Sequence, residues 1–281
     1  MNQPFLSQIY LYPVKSLGGI RVERWPVDHR GLVYDRKWML IDRHGRFLSQ
    51  RRLPKMALIK TQLTGDQLVL TTPDQRQIAL SVNFAGGETL EVSLWHDLCQ
   101  ARTISDEADR WLSDFLDHDC RLVYQPDDSI RPVDPHYALA SDQAAFSDGF
   151  PFLIVSEASL QSLNKAMQLE LSMSRFRPNL VIDGCAEYAE DGWREISIGH
   201  IGFRLPKPCS RCNIPAIDPE TADIGKEPLQ TLNRLRKWNK QVYFGQNALH
   251  NNGGELTVGS PVTVTATGTK QPPLQLPGNS V

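Results

Sequence analysis

Lys207-Pro208-Cys209-Ser210-Arg211-Cys212-Asn213-Ile214-Pro215 is the segment whose residue types most readily do chemistry. Pro208 and Pro215 bracket it. Proline fixes the backbone and removes a donor, so the spacing predicts a rigid loop leaving a strand, not a helix interior. Lys207 and Arg211 bring positive charge, which favours thiolate over thiol, and thiolate ligates soft metals. Three plainer readings stand beside that one. Structural zinc needs two more ligands at suitable spacing, and no second Cys pair or spaced His pair is present. A dithiol redox pair usually opens a helix, and Pro215 and Pro219 make a poor helix start. The third is two packed thiols, which a lone Cys-x-x-Cys does not decide.

Other polar groups suit a ligand without demanding one. Phe176-Arg177-Pro178-Asn179 sets Arg177 and Asn179 on one side of an extended segment, where a guanidinium fork and an amide suit an anionic or heterocyclic partner. Tyr12-Pro13-Val14-Lys15-Ser16 ends a strand in a turn, and Lys15 with Ser16 offers phosphate a charge and a hydroxyl. Asp35-Arg36 starts another strand. Asp148 lies in a loop beside Gly149. Read singly, each is equally ordinary turn or surface chemistry.

The elements that must position these groups are mainly strands. LSQIYLYPV, GIRVERWPV, KWMLIDRHG and QLVLTT alternate β-branched and aromatic residues with turn formers, which predicts an antiparallel sheet or small barrel. A further strand is expected within 95–103. ISDEADRWLSDFLDHDC reads as a helix capped by Ser105, with Ala108, Trp111, Leu112 and Phe115 on its apolar face. Ser156 caps a second helix after the strand FPFLIVS, and a charged helix is expected near 229–236. The Pro- and Asp-rich stretch between Tyr124 and Pro151 reads as a long mobile loop. NLVIDG and EISIGHIGFRLPK supply later strands.

Composition bounds the rest. The chain has 281 residues, 41% hydrophobic and 22% charged, with a formal net charge of -2. Nothing in that balance points to nucleic acid or an anionic membrane as a partner. No apolar run approaches the roughly 20 residues of a membrane span. No signal peptide is expected from MNQPFLSQIYLYPVKS, so the expected location is cytoplasmic. Five cysteines at irregular spacing do not form a secreted disulfide framework. No Walker loop or Gly-x-Gly-x-x-Gly fingerprint is present.

Together the segments YPVKSLGG, GLVYDRKWMLID, FSDGFPFLIVSEASLQSLN, FRPNLVI, YAEDGWREISIG, PCSRC, IDPETA, KEPLQTL, FGQNA and GELTVGSPV, in order from about residue 10 to 262, resemble the MOSC family. Within it they are similar to the amidoxime-reducing components and their bacterial counterparts. The resemblance implies a mixed, mainly β fold. A β-rich, MOSC-associated N-terminal domain would span 1–122, a MOSC β-barrel with a few helices 123–265, and a Pro-rich tail or linker 266–281. It implies a molybdenum cofactor (molybdopterin) ligated by Cys212, with Cys209 matching the pattern but not ligating. It also implies that Lys15, Ser16, Arg36, Arg177, Asn179, Ser210 and Arg211 contact the cofactor. Asp148 would sit near the open side of the metal, as a proton donor if its pKa is raised or as a substrate anchor.

The activity implied is reduction of N-hydroxylated compounds, with electrons from a separate flavin-reductase or ferredoxin-type protein. The alternative is a carrier holding a persulfide on Cys212 without turnover. The family often has a Thr pair shortly after the ligand Cys. Here Pro215 and Ala216 stand there instead, which removes two hydroxyls from the surroundings of the metal.

Overall fold

A computed structural model describes residues 3–272 of the chain. The fold is mainly β, with three α-helices among the described residues. Nine strands form one large sheet. Its order is Val262–Thr267, Trp193–Ile198, Ile201–Ser210, Gln241–His250, Phe152–Ser156, Leu180–Asp183, Phe5–Leu11 and Ile20–Val22, with Lys237–Trp238 paired to Gln241–His250. Only Phe152–Ser156 and Leu180–Asp183 run parallel. The helix Glu157–Met167 makes that crossover, as a parallel connection requires. A bridge from Phe5, in the last strand but one, to Pro261, just before Val262–Thr267, curls the sheet back on itself, with Leu6 N–H donating to Ser260 O at 2.9 Å. This contact makes the sheet barrel-like and covers part of its edge. Leu6, Ile9, Ile154, Leu180, Ile201 and Phe203 are buried in its core.

A second core lies beside the first. The sheet Trp38–Ile41, Arg121–Tyr124, Asp97–Thr103, Thr89–Leu94 and the three-strand sheet 60–81 pack with helix Asp106–Leu116. Ser105 accepts from Ala108 N–H at 3.0 Å, the cap expected from sequence. Ala108, Leu112 and Leu116 are the fully buried positions of that helix, while Trp111 and Phe115 lie partly exposed beside them. The strand Phe5–Leu11 belongs to the large sheet, yet Val14 and Leu17 just beyond it are buried in the second core. The turn carrying Lys15 and Ser16 therefore crosses between the two cores.

Three features go beyond what the local sequence shows. The stretch 125–151 has little regular structure but is not loose. Arg131 is buried and donates to Ala145 O at 2.7 Å and Ser147 O at 2.8 Å, and pairs with Asp97 at 2.8 Å. One guanidinium thus ties both arms of the loop and fixes the approach to Asp148. The charged helix, found at Leu229–Leu235, is followed by Arg236, which is not a surface group. It is buried against Asp191 at 2.8 Å and stacks over Tyr188 at 4.2 Å, so it belongs to the interior. A strand at Thr89–Leu94, unmarked in the sequence reading, pairs with Asp97–Thr103 as a hairpin.

Of the expected tail, 268–271 hydrogen-bonds back onto the body through Gly192 and Asp191, and 273–281 lies outside the described residues. No helix among the described residues is long and apolar enough to cross a membrane.

Candidate functional site

The strand Ile201–Ser210 delivers the cysteine loop. It pairs with Trp193–Ile198 only as far as Arg204, and its register against Gln241–His250 shifts twice, between Arg204 and Lys207 and between Pro208 and Ser210. Pro206 and Pro208 sit where one neighbour has ended and the other ladder is bulged, so their missing N–H groups break no regular ladder. The bulges turn the chain, and Cys212 lies two residues past the strand, before the 3-10 turn Ile214–Ala216. This is the rigid loop leaving a strand that the flanking prolines predict. Gly245, across the ladder, has φ 80°, and a Cβ there would lie 2.9 Å from Ile154 O. Only glycine lets the strand Gln241–His250 approach Phe152–Ser156 this closely below the site.

A cleft of about 130 Å³ collects Lys15, Ser16, Arg36, Asp148, Arg177, Asn179, Ser210, Arg211 and Cys212, with Cys209 and Arg51. The residues that the family resemblance assigns to the site therefore converge, although they are spread from position 15 to position 212. The convergence is made by backbone pairing. Arg36 N–H donates to Tyr12 O at 2.8 Å, Lys15 N–H to Trp38 O at 2.8 Å, and Phe146 N–H to Arg36 O at 2.9 Å. Three loops are thereby zipped into one wall. A larger cleft of about 740 Å³ lies elsewhere, lined by Tyr34, Phe84, Arg102 and Tyr124 among others. No cysteine lines it, whereas both Cys209 and Cys212 line the smaller one.

Within the wall, Arg36 pairs with buried Asp35 at 2.5 Å and donates to Asn179 Oδ1 at 3.0 Å. Burial pushes the Asp35 carboxyl up, and Arg36 with the Tyr12 N–H pulls it back. Arg177 donates to Leu17 O at 2.7 Å. The Tyr12 ring is sandwiched between the Arg36 and Arg177 guanidiniums, at 4.4 and 4.2 Å. Tyr12 was read from sequence only as a strand end. Nothing local marks it as the spacer between two arginines 141 positions apart.

Two site expectations change in detail. Arg177 is not extended: it adopts φ 55° at the end of the 3-10 turn Met173–Phe176. Asn179 lines the cleft, but its amide is committed to the protein. Oδ1 accepts from Arg36 and from Leu153 N–H, and Nδ2 donates to Tyr10 O at 3.3 Å. Its work is to aim Arg36.

Asp148 contacts Lys15 Nζ at 2.5 Å, Arg51 at 3.4 Å and the Trp95 indole N–H at 3.3 Å. Burial of its carboxyl acts to raise the pKa, but Lys15, Arg51 and Trp95 together hold it well below the usual carboxylate range. The side chain still has 57% of its surface exposed, which weakens the burial contribution further. The condition for a proton donor is not met; a carboxylate anchor is. Arg51 and Trp95 had no signal in the sequence.

Lys15 is the opposite case. Its side chain is 6% exposed, and burial pulls its pKa down to about 8 despite the Asp148 contact. Phe146 O and Asp148 take two of its three donors, which leaves one for an anion. Arg211 leans on the Cys209 sulfur at 3.2 Å and donates to Phe176 O, and the Lys207 ammonium lies over the Tyr137 ring at 4.6 Å. The two cations flanking the cysteines are thus engaged with Cys209 and Tyr137.

The matched families follow this geometry. Residues 3–119 match the MOSC N-terminal beta barrel domain, and 141–263 match the MOSC domain. The chain is 34% identical to mitochondrial amidoxime-reducing component 1 of Mus musculus, over 92% of this chain and 81% of that protein. It belongs to the MOSC family. The human amidoxime-reducing component 1 is 33% identical, over 92% of this MOSC chain and 82% of its own length. The molybdenum cofactor sulfurase of Solanum lycopersicum is 31% identical, over 86% of this chain but 32% of its own.

The cleft fits a molybdenum cofactor by donor chemistry. Five cations (Lys15, Arg36, Arg51, Arg177 and Arg211) line it against one carboxylate, Asp148. Arg51 Nε, Arg211 Nε and Ser147 Oγ are buried without a hydrogen-bond partner. Buried donors without acceptors are costly, and an anion repairs that. Among the described residues no three His, Cys, Asp or Glu side chains form a metal cluster. A metal at Cys212 would therefore take most of its donors from a bound cofactor. The enclosed volume is below the roughly 300–1,000 Å³ of closed ligand pockets, so the fit lies in the donor set and not in an enclosing mould.

A pH dependence follows from Lys15. Affinity of this MOSC protein for a phosphate-bearing ligand should fall as pH rises through about 8, where the ammonium is lost. The limiting slope is about tenfold per pH unit if the charge is essential. Stability runs the other way. The unfolded lysine still binds its proton up to its ordinary pKa, so this group makes the fold relatively more stable as pH climbs above about 8. Phosphate titrations from pH 6.5 to about 9.5 check this. Lys15→Met should give weak binding with a flat profile, and an unchanged profile would remove Lys15 from anion binding.

Proposed function

We propose that this chain is a molybdenum-cofactor-dependent oxidoreductase that reduces N-hydroxylated compounds such as amidoximes, hydroxylamines and N-oxides. One observation carries the reading: a cysteine on a rigid, proline-flanked loop shares a cleft with five cations, and two of those cations and a neighbouring serine hold buried polar atoms without a partner. The names of the amidoxime-reducing relatives support the substrate class.

Arg36, Arg177, Lys15, Ser16, Ser210 and Arg211 would hold the anionic and heterocyclic parts of the cofactor, and Cys212 would ligate the metal. When bound, the cofactor supplies a two-electron couple and soft sulfur donors beside the Cys212 sulfur. Asn179 holds Arg36 in position, and Tyr12 separates the two guanidiniums. Asp148, kept as a carboxylate, accepts a hydrogen bond from the N–H of an amidoxime or hydroxylamine and orients it. Reduction of an N–OH group consumes two electrons and two protons and releases water with the N–H product. The protons come from solvent through the open cleft, and the electrons from a separate flavin-reductase or ferredoxin-type partner.

The test is purification from a cofactor-competent host, with molybdenum and pterin analysis and turnover of benzamidoxime. A viologen radical should drive reduction, and NADPH alone should not. Activity on NADPH by the pure chain would overturn the need for a partner. Metal-free protein carrying a persulfide on Cys212 would favour the carrier alternative, to which the sulfurase relatives lend their name.

A further inference from the structure

Arg51 lines the Cys212 cleft and also a second cavity of about 490 Å³ on its other side. That cavity holds Arg46, Arg52, Phe47 and Trp95, and its lining contains no carboxylate. Among the described residues Arg46 and Arg52 make no ion pair, whereas Arg51 reaches Asp148 at 3.4 Å. Three arginines line one cavity that no carboxylate lines, in a chain whose net charge is -2, and create a local positive field there.

Trp95 adds a second, independent observation. It sits at the tip of the hairpin joining Thr89–Leu94 to Asp97–Thr103, with φ 60°. Glycine, asparagine or aspartate is preferred in that conformation, and a large indole there is strained. Strain of this kind persists only where the surroundings over-determine it. Here the indole lies 4.6 Å from the Phe47 ring, stacks at 4.3 Å on the Arg51 guanidinium, and donates to Asp148 at 3.3 Å. It nevertheless remains 41% exposed, so much of the ring is free to meet another molecule. Arg51, Trp95 and Asp148 form a partition between the two cavities, with the anchor carboxylate on it.

We propose that this second cavity is a substrate subsite for a planar aromatic ring bearing a carboxylate or similar anionic group, so that the chain selects anionic aryl N-hydroxylated compounds over neutral ones. The ring stacks on Trp95, the anion meets Arg46 and Arg52, and the N–O end reaches past Asp148 into the Cys212 cleft. The proposal rests on the reductase reading of that cleft, and the test separates the two.

Benzamidoxime and 4-carboxybenzamidoxime share the same reacting group and differ in the anion. With viologen as reductant, kcat/KM should favour the carboxylated compound by about tenfold, the ratio one charge-assisted hydrogen bond supports. Arg46→Ala/Arg52→Ala should bring the ratio close to one, and added salt should lower it in the wild type. Trp95→Ala should raise KM more than it lowers kcat for both compounds. An unaltered ratio in the double arginine variant, or a wild-type preference for the neutral compound, overturns the subsite. Should neither compound turn over, calorimetric titration of the holoprotein with 4-carboxybenzamidoxime decides separately. Binding lost in the double variant upholds the subsite while the reductase reading fails, and no binding overturns the subsite as well.

Discussion

Cys212→Ser is expected to yield protein with essentially no molybdenum and no reductase turnover, while Cys209→Ser retains most of its metal. A serine hydroxyl is a hard donor that stays protonated near neutral pH, and it replaces a soft thiolate poorly. The two cysteines differ in what the fold asks of them. Cys209 is partly packed against the cluster containing Phe176 and Phe244 and takes a contact from Arg211 at 3.2 Å. Cys212 is half-buried beyond the strand end. Its replacement should therefore leave the melting temperature within a few degrees of wild type, since surface changes away from packed features move stability by only about 0.5 kcal/mol. Elemental analysis of molybdenum per chain, read beside thermal unfolding, checks both halves. Full metal in the Cys212 variant with loss in the Cys209 variant would reverse the ligand assignment.

The second large effect concerns the arginine pair on either side of Tyr12. Arg177→Ala should weaken cofactor retention roughly tenfold to hundredfold, the loss expected from one charge-assisted hydrogen bond worth about 1.5–3 kcal/mol. Arg36→Ala is less simple. It removes a similar ligand contact and also leaves Asp35 buried without its cation, 2.5 Å from where the guanidinium stood. Stranding one member of a buried pair costs about 3–5 kcal/mol, so this variant should be cofactor-poor and also thermally weak. Asp35→Asn/Arg36→Ala removes the uncompensated charge. It should recover much of the melting temperature without recovering cofactor. Cofactor content per chain and calorimetric unfolding of the three variants separate the roles. Normal cofactor occupancy in Arg177→Ala, with an unaltered melting curve, would exclude that arginine from the binding pocket.

The elements most legible in the sequence are those whose signals are local. Alternating apolar residues mark Phe5–Leu11, Gln67–Thr71 and Trp193–Ile198, and the serine caps at Ser105 and Ser156 mark two helices, because period and capping act within a few residues. The prolines around the cysteine loop likewise act on their own backbone. The hairpin strand Thr89–Leu94 carries little local signal because it is mostly exposed, with only Val92 and Leu94 buried. The stretch 125–151 was read as mobile because its composition is that of a loop. The guanidinium of Arg131 that ties it down finds its partners 14, 16 and 34 positions away.

The sequence by itself determined the mainly β character, the rigid cysteine loop and, through ten ordered segments, the family and a set of residues that do converge in space. Tertiary structure decided what each residue does there. Asp148 stays a carboxylate because Lys15, Arg51 and Trp95 meet it, and Asn179 supports Arg36 because Tyr10 and Leu153 occupy the rest of its amide. Arg236 is interior because Asp191 receives it. Charge state and hydrogen-bond commitment depend on neighbours within a few ångströms in space, and in this chain those neighbours come from loops far apart in sequence.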